Sequence, residues 1–297
     1  MTIKIPCSTS NLGPGFDTLG LALNRYLTIT ACMSSTIRVT VEGNGADHIA
    51  TDPSNLVFVA MQHTAHKLGI TIPLIHLHLN NGIPAYGGLG GSGAAIAGGV
   101  YLANSLLRGG FSVDEMLNIA VEIEGHPDNV SAALFGGLTV NCFDANRTVH
   151  CRSVKIEHNL SVIACSPHFQ VQTKQARKIL PKNVPLHDAV ANIENASSLV
   201  AALMCGDVEA LRYVTADRLH EQYRATLIPG YDAVKSAALN AGALSFNISG
   251  AGPTVFAFAV DNEERIAEAM TAAFASHGQT ATAEIMHIEN SGIREQV

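Results

Sequence analysis

The chain is predicted to be an α/β protein, and three observations carry that prediction. Segments of helical and strand periodicity alternate along its 297 residues. Hydrophobic residues make up 47% of the chain and charged ones 14%, with no tryptophan. Residues 87–93, GGLGGSG, hold five glycines and open onto the small, apolar stretch AAIAGGVYLANSLL. A chain of this length buries a large core and divides more readily into two domains than one, and its small apolar side chains suit a close-packed soluble enzyme.

The elements follow in order. Period-two alternation predicts strands at 26–32, 37–41 and 75–79. Residues 53–68 are predicted helical, with Asp52 as cap, Pro53 at the first helical position and Gly69 at the end. The run after the glycines is apolar on every side, which predicts a buried helix. Ser112 to Glu115 reads S-x-x-E, a capping box that opens a helix at 113–124, stopped by Gly125 and Pro127. Strands are expected at 138–143 and 160–165, then helices at 188–204, 208–227, 231–241 and 263–276. Two further strands, 243–248 and 254–260, flank a second glycine turn, Ser249-Gly-Ala-Gly-Pro253. The polar, weakly periodic stretch 144–158 takes the domain boundary, giving an N-terminal domain 1–155 and a C-terminal domain 156–297.

The net charge of −7 and the lack of a basic run speak against nucleic acid or an anionic membrane as a partner. Six cysteines without C-x-x-C spacing read as reduced, buried small hydrophobes, and a cytoplasmic location is expected. The first residues resemble neither a signal nor a transit peptide, and no apolar run reaches membrane-spanning length.

Glycine lacks a Cβ, so its backbone N–H groups can approach a ligand closely. A glycine loop at a helix N-terminus offers unpaired N–H groups and a favourable dipole to an anion. The loop is no P-loop, because no lysine lies near it. Gly88, Gly90 and Gly93 satisfy G-x-G-x-x-G, but the dinucleotide reading lacks its acidic residue at the end of a second strand. A phosphate site therefore stands against a glycine turn that merely closes a helix onto a sheet.

Other residues sharpen the choice. On the 113–124 helix Glu122 shares the polar face with Asn118 and Glu115, whereas Glu124 lines up with Leu117 and Ala120 on the apolar stripe. A carboxylate turned inward needs a partner, and Mg²⁺ beside a triphosphate is a natural one; fraying of the last turn into solvent is the alternative. Residues 6–17 and 125–130 are dense in turn formers and short polar side chains, either as site loops or as turn chemistry. The histidine pairs 63/66 and 76/78 have no H-E-x-x-H pattern or cysteine partner, which disfavours a transition-metal site. His126 stands out only for its place in the Asp128 turn.

Three segments in this order resemble the motifs of the GHMP small-molecule kinases: Pro6 to Leu23, Pro84-Ala-Tyr-Gly-Gly-Leu-Gly-Gly-Ser-Gly-Ala-Ala95, and Asn247-Ile-Ser-Gly-Ala-Gly-Pro253. Residues 11–17, Glu124-Gly-His-Pro-Asp-Asn-Val130, 173–181 and 220–230 further resemble the homoserine kinase branch. The resemblance implies two domains, the first ribosomal-protein-like with a left-handed β-α-β crossover and the second ferredoxin-like. It implies transfer of a phosphoryl group from ATP to the hydroxyl of L-homoserine, a step of threonine biosynthesis. Asn55, Pro84, Gly87, Gly88, Leu89, Gly90, Gly91, Ser92, Gly93 and Ala94 would form the nucleotide site, with Ser92 and Glu124 holding Mg²⁺. Asn11, Asp17, Asp128, Arg177, Arg224 and Gly250 would contact homoserine, the arginines matching its carboxylate bidentately, although each arginine on its own is also compatible with a surface charge. Asp128 and Asn129, the catalytic candidates, would lie beside the substrate, and whether any protein base removes the hydroxyl proton is open. Gly91 departs from the family, which has a serine there. The resemblance allows a homodimer. Another GHMP kinase acting on mevalonate or a sugar, and a non-catalytic sensor on the same fold, remain the alternatives.

Overall fold

The computed structural model describes residues 1–296; Val297, the last residue of the expected second domain, lies outside them. In chain order the strands and helices are β1 (Thr2–Ser10), β2 (Leu19–Met33), β3 (Arg38–Gly43), α1 (Leu56–Leu68), β4 (Ile75–Asn81), α2 (Gly91–Leu106), α3 (Val113–Glu124), α4 (Asp128–Phe135), β5 (Leu138–Phe143), β6 (Val149–Val154), β7 (Ser161–Pro167), α5 (Thr173–Lys178), α6 (Leu186–Cys205), α7 (Leu211–Val214), α8 (Glu221–Arg224), α9 (Tyr231–Ala241), β8 (Ser245–Ile248), β9 (Val255–Ala259), α10 (Glu263–Ser276), β10 (Ala281–His287) and β11 (Arg294–Gln296).

Two sheets organise these elements. The first runs β11-β1-β2-β4-β3, with β5 and β6 joined to the near end of β2. Its one parallel pair among the described residues is β3 with β4, connected through α1. The second runs β10-β7-β9-β8 and is antiparallel throughout. In chain terms it is a β-α-β-β-α-β unit with spatial order 4-1-3-2, the ferredoxin-like arrangement. The chain passes from the first sheet to the second between Val154 and Ser161, and its last strand returns to pair with β1.

Helix α2 is buried along most of its length, as its composition predicts. A Cβ on Gly99 would stand 2.3 Å from the Val57 carbonyl oxygen, so only glycine allows α1 this close. Residues of both sheets, among them Ile5, Leu21, Leu77, Val162 and Phe256, share one hydrophobic core. A smaller core lies between the second sheet and α9 and α10.

Several expected elements occur as expected and others are corrected. Helices α3, α9 and α10 and strand β5 span the expected residues. Ser112 and Glu115 close both halves of the capping box. Helix α1, however, starts at Leu56, not at Pro53. Asp52 instead turns its carboxylate onto the amide and hydroxyl of Ser54, and Asn55 caps the helix. The expected 208–227 helix is broken. The Asp217 carboxylate accepts from the amides of Leu219, His220 and Glu221 at 3.1, 2.7 and 2.7 Å, and such side-chain capture of successive N–H groups ends one helix and starts another. The polar stretch 144–158 contains β6, paired with β5 in a hairpin whose turn is held by Asp144.

Because α3 delivers Glu124 to the interior, its capping box fixes more than the helix start. Replacing Ser112 with alanine is expected to cost about 1 kcal/mol, read as a lower urea midpoint with an unchanged m-value. An unchanged midpoint would contradict this.

Candidate active site

One cleft of about 630 Å³ runs between the two sheets and collects most of the residues singled out in the sequence. The glycine loop crosses its middle. Gly87, Gly88 and Gly90 have φ of 97°, 87° and 67°, values that a side chain would strain, and Gly90 caps α2. The amides of Gly88, Leu89 and Gly90 find no acceptor among the described residues. Gly91, Ser92 and Gly93 form the first helical turn, whose N–H groups have no partner within the helix. This is a row of bare amides at a helix N-terminus, suited to an anion.

Pro84 and residues 87–92 line the cleft. Gly93 and Ala94 are not among the lining residues: Gly93 offers the cleft only its free first-turn N–H, and Ala94 stands behind it. A Cβ on Gly93 would lie 2.8 Å from the Asn129 Cβ, so its smallness serves packing. The Ala94 amide donates to Gly90 O at 2.9 Å and its methyl is fully buried. Gly91 has open space where a Cβ would go, so the loop does not need glycine at that position. Asn55 lines the cleft, but the backbone uses both ends of its amide: it accepts from Val57 N at 3.0 Å and donates to Ala50 O at 2.7 Å.

Ser92 Oγ donates to Glu124 Oε1 at 2.7 Å. The inward heading of Glu124 inferred from helical spacing therefore holds, while Glu122 faces solvent with Lys67 and His63. The fit to Mg²⁺ can be tested on this pair. Octahedral Mg²⁺ with ligands at about 2.0–2.1 Å sets neighbouring oxygens about 2.9 Å apart. A hydroxyl and a carboxylate 2.7 Å apart, facing amides that favour phosphate, match that span and an all-oxygen set.

At the far end of the cleft the charged residues expected to meet a ligand meet one another. Arg177 holds Asp17 in a two-pronged pair at 2.8 and 2.7 Å, with both side chains about one-third exposed. Arg224 is buried, donating to Gly250 O at 2.8 Å and to Ala176 O at 3.3 Å. Burial, and then the nearby Arg177 guanidinium, hold its pKa below the ordinary arginine value. Asn11 donates to the same Gly250 carbonyl at 2.9 Å and accepts from the Asp17 amide at 3.0 Å. The loop that carries them is strained, with Asn11, Leu12 and Asp17 at φ of 70°, 51° and 55°.

Asp128 and Asn129 open α4 and are almost wholly buried. Asp128 Oδ1 meets His126 Nδ1 at 2.6 Å and accepts from the Asn129 amide at 2.8 Å. Burial alone would raise the Asp128 pKa, but the hydrogen bond and charge of His126 bring it below the usual carboxylate value. Burial opposes charge on His126 in turn, yet Asp128 holds its pKa above the ordinary imidazole value. Asn129 accepts from Ser8 Oγ at 2.9 Å and donates to Ser10 Oγ at 3.1 Å.

Several participants were not singled out one by one, although Ser8, Ser10 and Phe16 lie in the 6–17 segment read as a candidate site loop. Ser8 and Ser10 belong to β1, which reads as a polar loop because the cleft makes a strand of buried hydroxyls useful. Phe16 lies against both guanidiniums, 5.0 Å from Arg224 and 5.6 Å from Arg177, and stacks on His220 at 5.0 Å. Burial keeps His220 below its ordinary pKa; neutral, it donates from Nε2 to Gly13 O at 2.9 Å. Residues 44–50, which wall the cleft on the other side of the glycine loop, carry no motif. No helix among the described residues is long and apolar enough to cross a membrane.

Residues 55–137 match the family described as GHMP kinases N terminal domain, and residues 199–276 the family described as GHMP kinases C terminal. The chain is similar to a homoserine kinase of Moorella thermoacetica, 38% identical over 94% of each chain. It is also similar to one of Caldanaerobacter subterraneus subsp. tengcongensis, 39% identical over 98% of this chain and 93% of the other. Among solved structures, a homoserine kinase from Cytophaga hutchinsonii superimposes with a TM-score of 0.86 at 32% identity, covering 99% of this chain and 96% of that one.

Behind the Arg224 turn, Glu221 is buried and accepts from Ile248 N at 2.7 Å and Asn247 Nδ2 at 3.2 Å. Burial raises its pKa from 4.5 to about 8. The native chain thus keeps a proton that the unfolded chain releases, so this stabilisation is full below about pH 4.5 and fades as pH rises toward about 8. Glu221→Gln removes the titration. Across that window the variant should gain on the parent by up to about 1.4 kcal/mol per pH unit, measured as unfolding free energy at several pH values. Parallel profiles would contradict the assignment.

Proposed function

Because the chain belongs to the GHMP kinases, and within them to the homoserine kinases, we propose that it transfers the γ-phosphoryl group of ATP to the side-chain hydroxyl of L-homoserine, giving O-phospho-L-homoserine and ADP in threonine biosynthesis. One observation carries this reading: a single cleft holds a row of bare amides, a hydroxyl–carboxylate pair fit for Mg²⁺, and a carboxylate–guanidinium pair fit for a zwitterion.

The amides of Gly88, Leu89 and Gly90 and the first turn of α2 bind the β- and γ-phosphates, with the base toward residues 44–55. Ser92 and Glu124 would hold Mg²⁺, which when bound neutralises phosphate charge. Phosphoryl transfer passes through a loose transition state, so positioning and charge stabilisation supply most of the catalysis. Arg177, with Arg224 behind it, takes the homoserine carboxylate, and Asp17 its ammonium. The Asn11 side chain orients the Asp17 loop, and the Gly250 carbonyl anchors Asn11 and Arg224. Asp128 and Asn129 place the hydroxyl beside the γ-phosphate. A carboxylate held below its usual pKa by His126 is a weak proton acceptor, so Asp128 serves as a positioner and the hydroxyl proton leaves to phosphate oxygen. Of the six free cysteines Cys32, Cys142 and Cys205 are exposed and not buried as expected, and free thiols fit a reducing cytoplasm. The exposed Leu186, Val190 and Ile193 on α6 offer a face for a second copy, which sedimentation of the purified protein would detect.

A coupled ADP-release assay on homoserine, serine, threonine, mevalonate and galactose tests the reading. Turnover is expected on homoserine, whereas turnover on mevalonate or galactose instead would favour a different GHMP kinase, and none at all a sensor. Glu124→Gln should cut kcat roughly 100-fold. Arg177→Ala should raise the homoserine KM roughly 10- to 100-fold with a smaller change in the ATP KM. Asp128→Asn should retain kcat within about tenfold, and a far larger loss would make Asp128 an essential base.

A further inference from the structure

The phosphate-binding amides are aimed from the other sheet. Between β8 and β9 the turn 249–254 lies against the glycine loop, so near that a Cβ on Gly88 would come within 2.8 Å of the Ser249 carbonyl oxygen. Ser249 Oγ donates to the Gly88 carbonyl and Thr254 Oγ1 to the Gly87 carbonyl. Both side chains are fully buried. Each hydroxyl has one proton to give: Ser249 Oγ is placed to donate to Thr9 Oγ1 at 2.8 Å as well as to the Gly88 carbonyl, and Thr254 Oγ1 lies 2.7 Å from Ser166 Oγ, from which it can accept.

A trans peptide is planar, and its C=O points opposite to the N–H that follows. Turning the Gly87 and Gly88 carbonyls toward the 249–254 turn therefore turns the N–H groups of Gly88 and Leu89 the other way. The next peptide is fixed in the same manner, since Leu89 O accepts from Ser8 N at 3.2 Å. Glycine at 87 and 88 leaves the loop free to take many conformations. Hydrogen bonds on the carbonyl side select one of them.

We infer that Ser249 and Thr254 are positioning residues: by holding the Gly87 and Gly88 carbonyls they aim the Gly88 and Leu89 amides into the cleft, at the terminal phosphates of the nucleotide. The inference rests on the nucleotide reading of the cleft and deepens it. The same turn carries Gly250, whose carbonyl takes Arg224 and Asn11. One short segment thus braces the nucleotide loop and the acceptor end together.

The test is calorimetric titration of the Mg²⁺ complex of AMP-PNP, with AMP as control, on the full chain and on Ser249→Ala, Thr254→Val and Thr254→Ser. Ser249→Ala and Thr254→Val are each expected to weaken AMP-PNP about tenfold. AMP, which lacks the phosphates these amides face, should change less than twofold, and Thr254→Ser should bind like the parent. Parent-like AMP-PNP binding by the alanine and valine variants, equal losses for AMP, or a serine variant as weak as the valine one would each overturn the inference. A second measurement does not depend on how the variants fold. In the ¹⁵N-labelled parent, the Gly88 and Leu89 amide resonances should move with AMP-PNP and stay in place with AMP; failure to do so also overturns it. Absence of AMP-PNP binding by the parent would instead bring down the nucleotide reading, and this inference with it.

Discussion

On the proposed function, the molecule must hold a polyanion with a loop that carries no cationic side chain. A lysine would supply charge from any of several rotamers, whereas main-chain amides supply it only where the backbone points them. The proposed phosphate site therefore depends on backbone conformation, and conformation on what braces residues 87–90 from behind. The braces are the hydroxyls of Ser249 and Thr254 and the amide of Ser8. The buried Ser-Thr-Ser run at the end of β1 belongs to this bracing, Ser8 N bonding Leu89 O and Thr9 Oγ1 accepting from Ser249 Oγ.

The second constraint is charge at the acceptor end. Asp128 and His126 neutralise each other in a buried pair, as do Asp17 and Arg177 in a more open one. Arg224 is different: its partners are two carbonyls, the His220 Nδ1 and the face of Phe16, so its charge is stabilised by dipoles and a ring.

Much of this was legible in the residue order. The capping box fixed helix 113–124 to the residue, and helical spacing alone separated Glu124 from Glu122. What failed did so for definable reasons. Asp52 and Asn55 are both good caps, and only the Asx turn between Asp52 and Ser54 decides between them. Asp217 breaks the 208–227 segment with three backbone contacts that no periodicity reveals. Strand β1 violates the hydropathy rule because its buried hydroxyls bond across to Asn129 and Ser249, residues more than 100 positions away. The pairing of Arg177 with Asp17 was invisible for the same reason, although each residue was singled out alone.

On the proposed function, the Asp17–Arg177 couple would also act as a filter on small molecules. Whatever binds there must first separate a carboxylate and a guanidinium that already satisfy each other. A simple carboxylic acid would compensate the guanidinium and strand the aspartate, and a simple amine would do the reverse. Only a compound bearing both signs, spaced like an amino acid's, replaces both halves of what it disrupts. Discrimination against half-charged metabolites would thereby be built into the couple before any contact with the reacting oxygen is made.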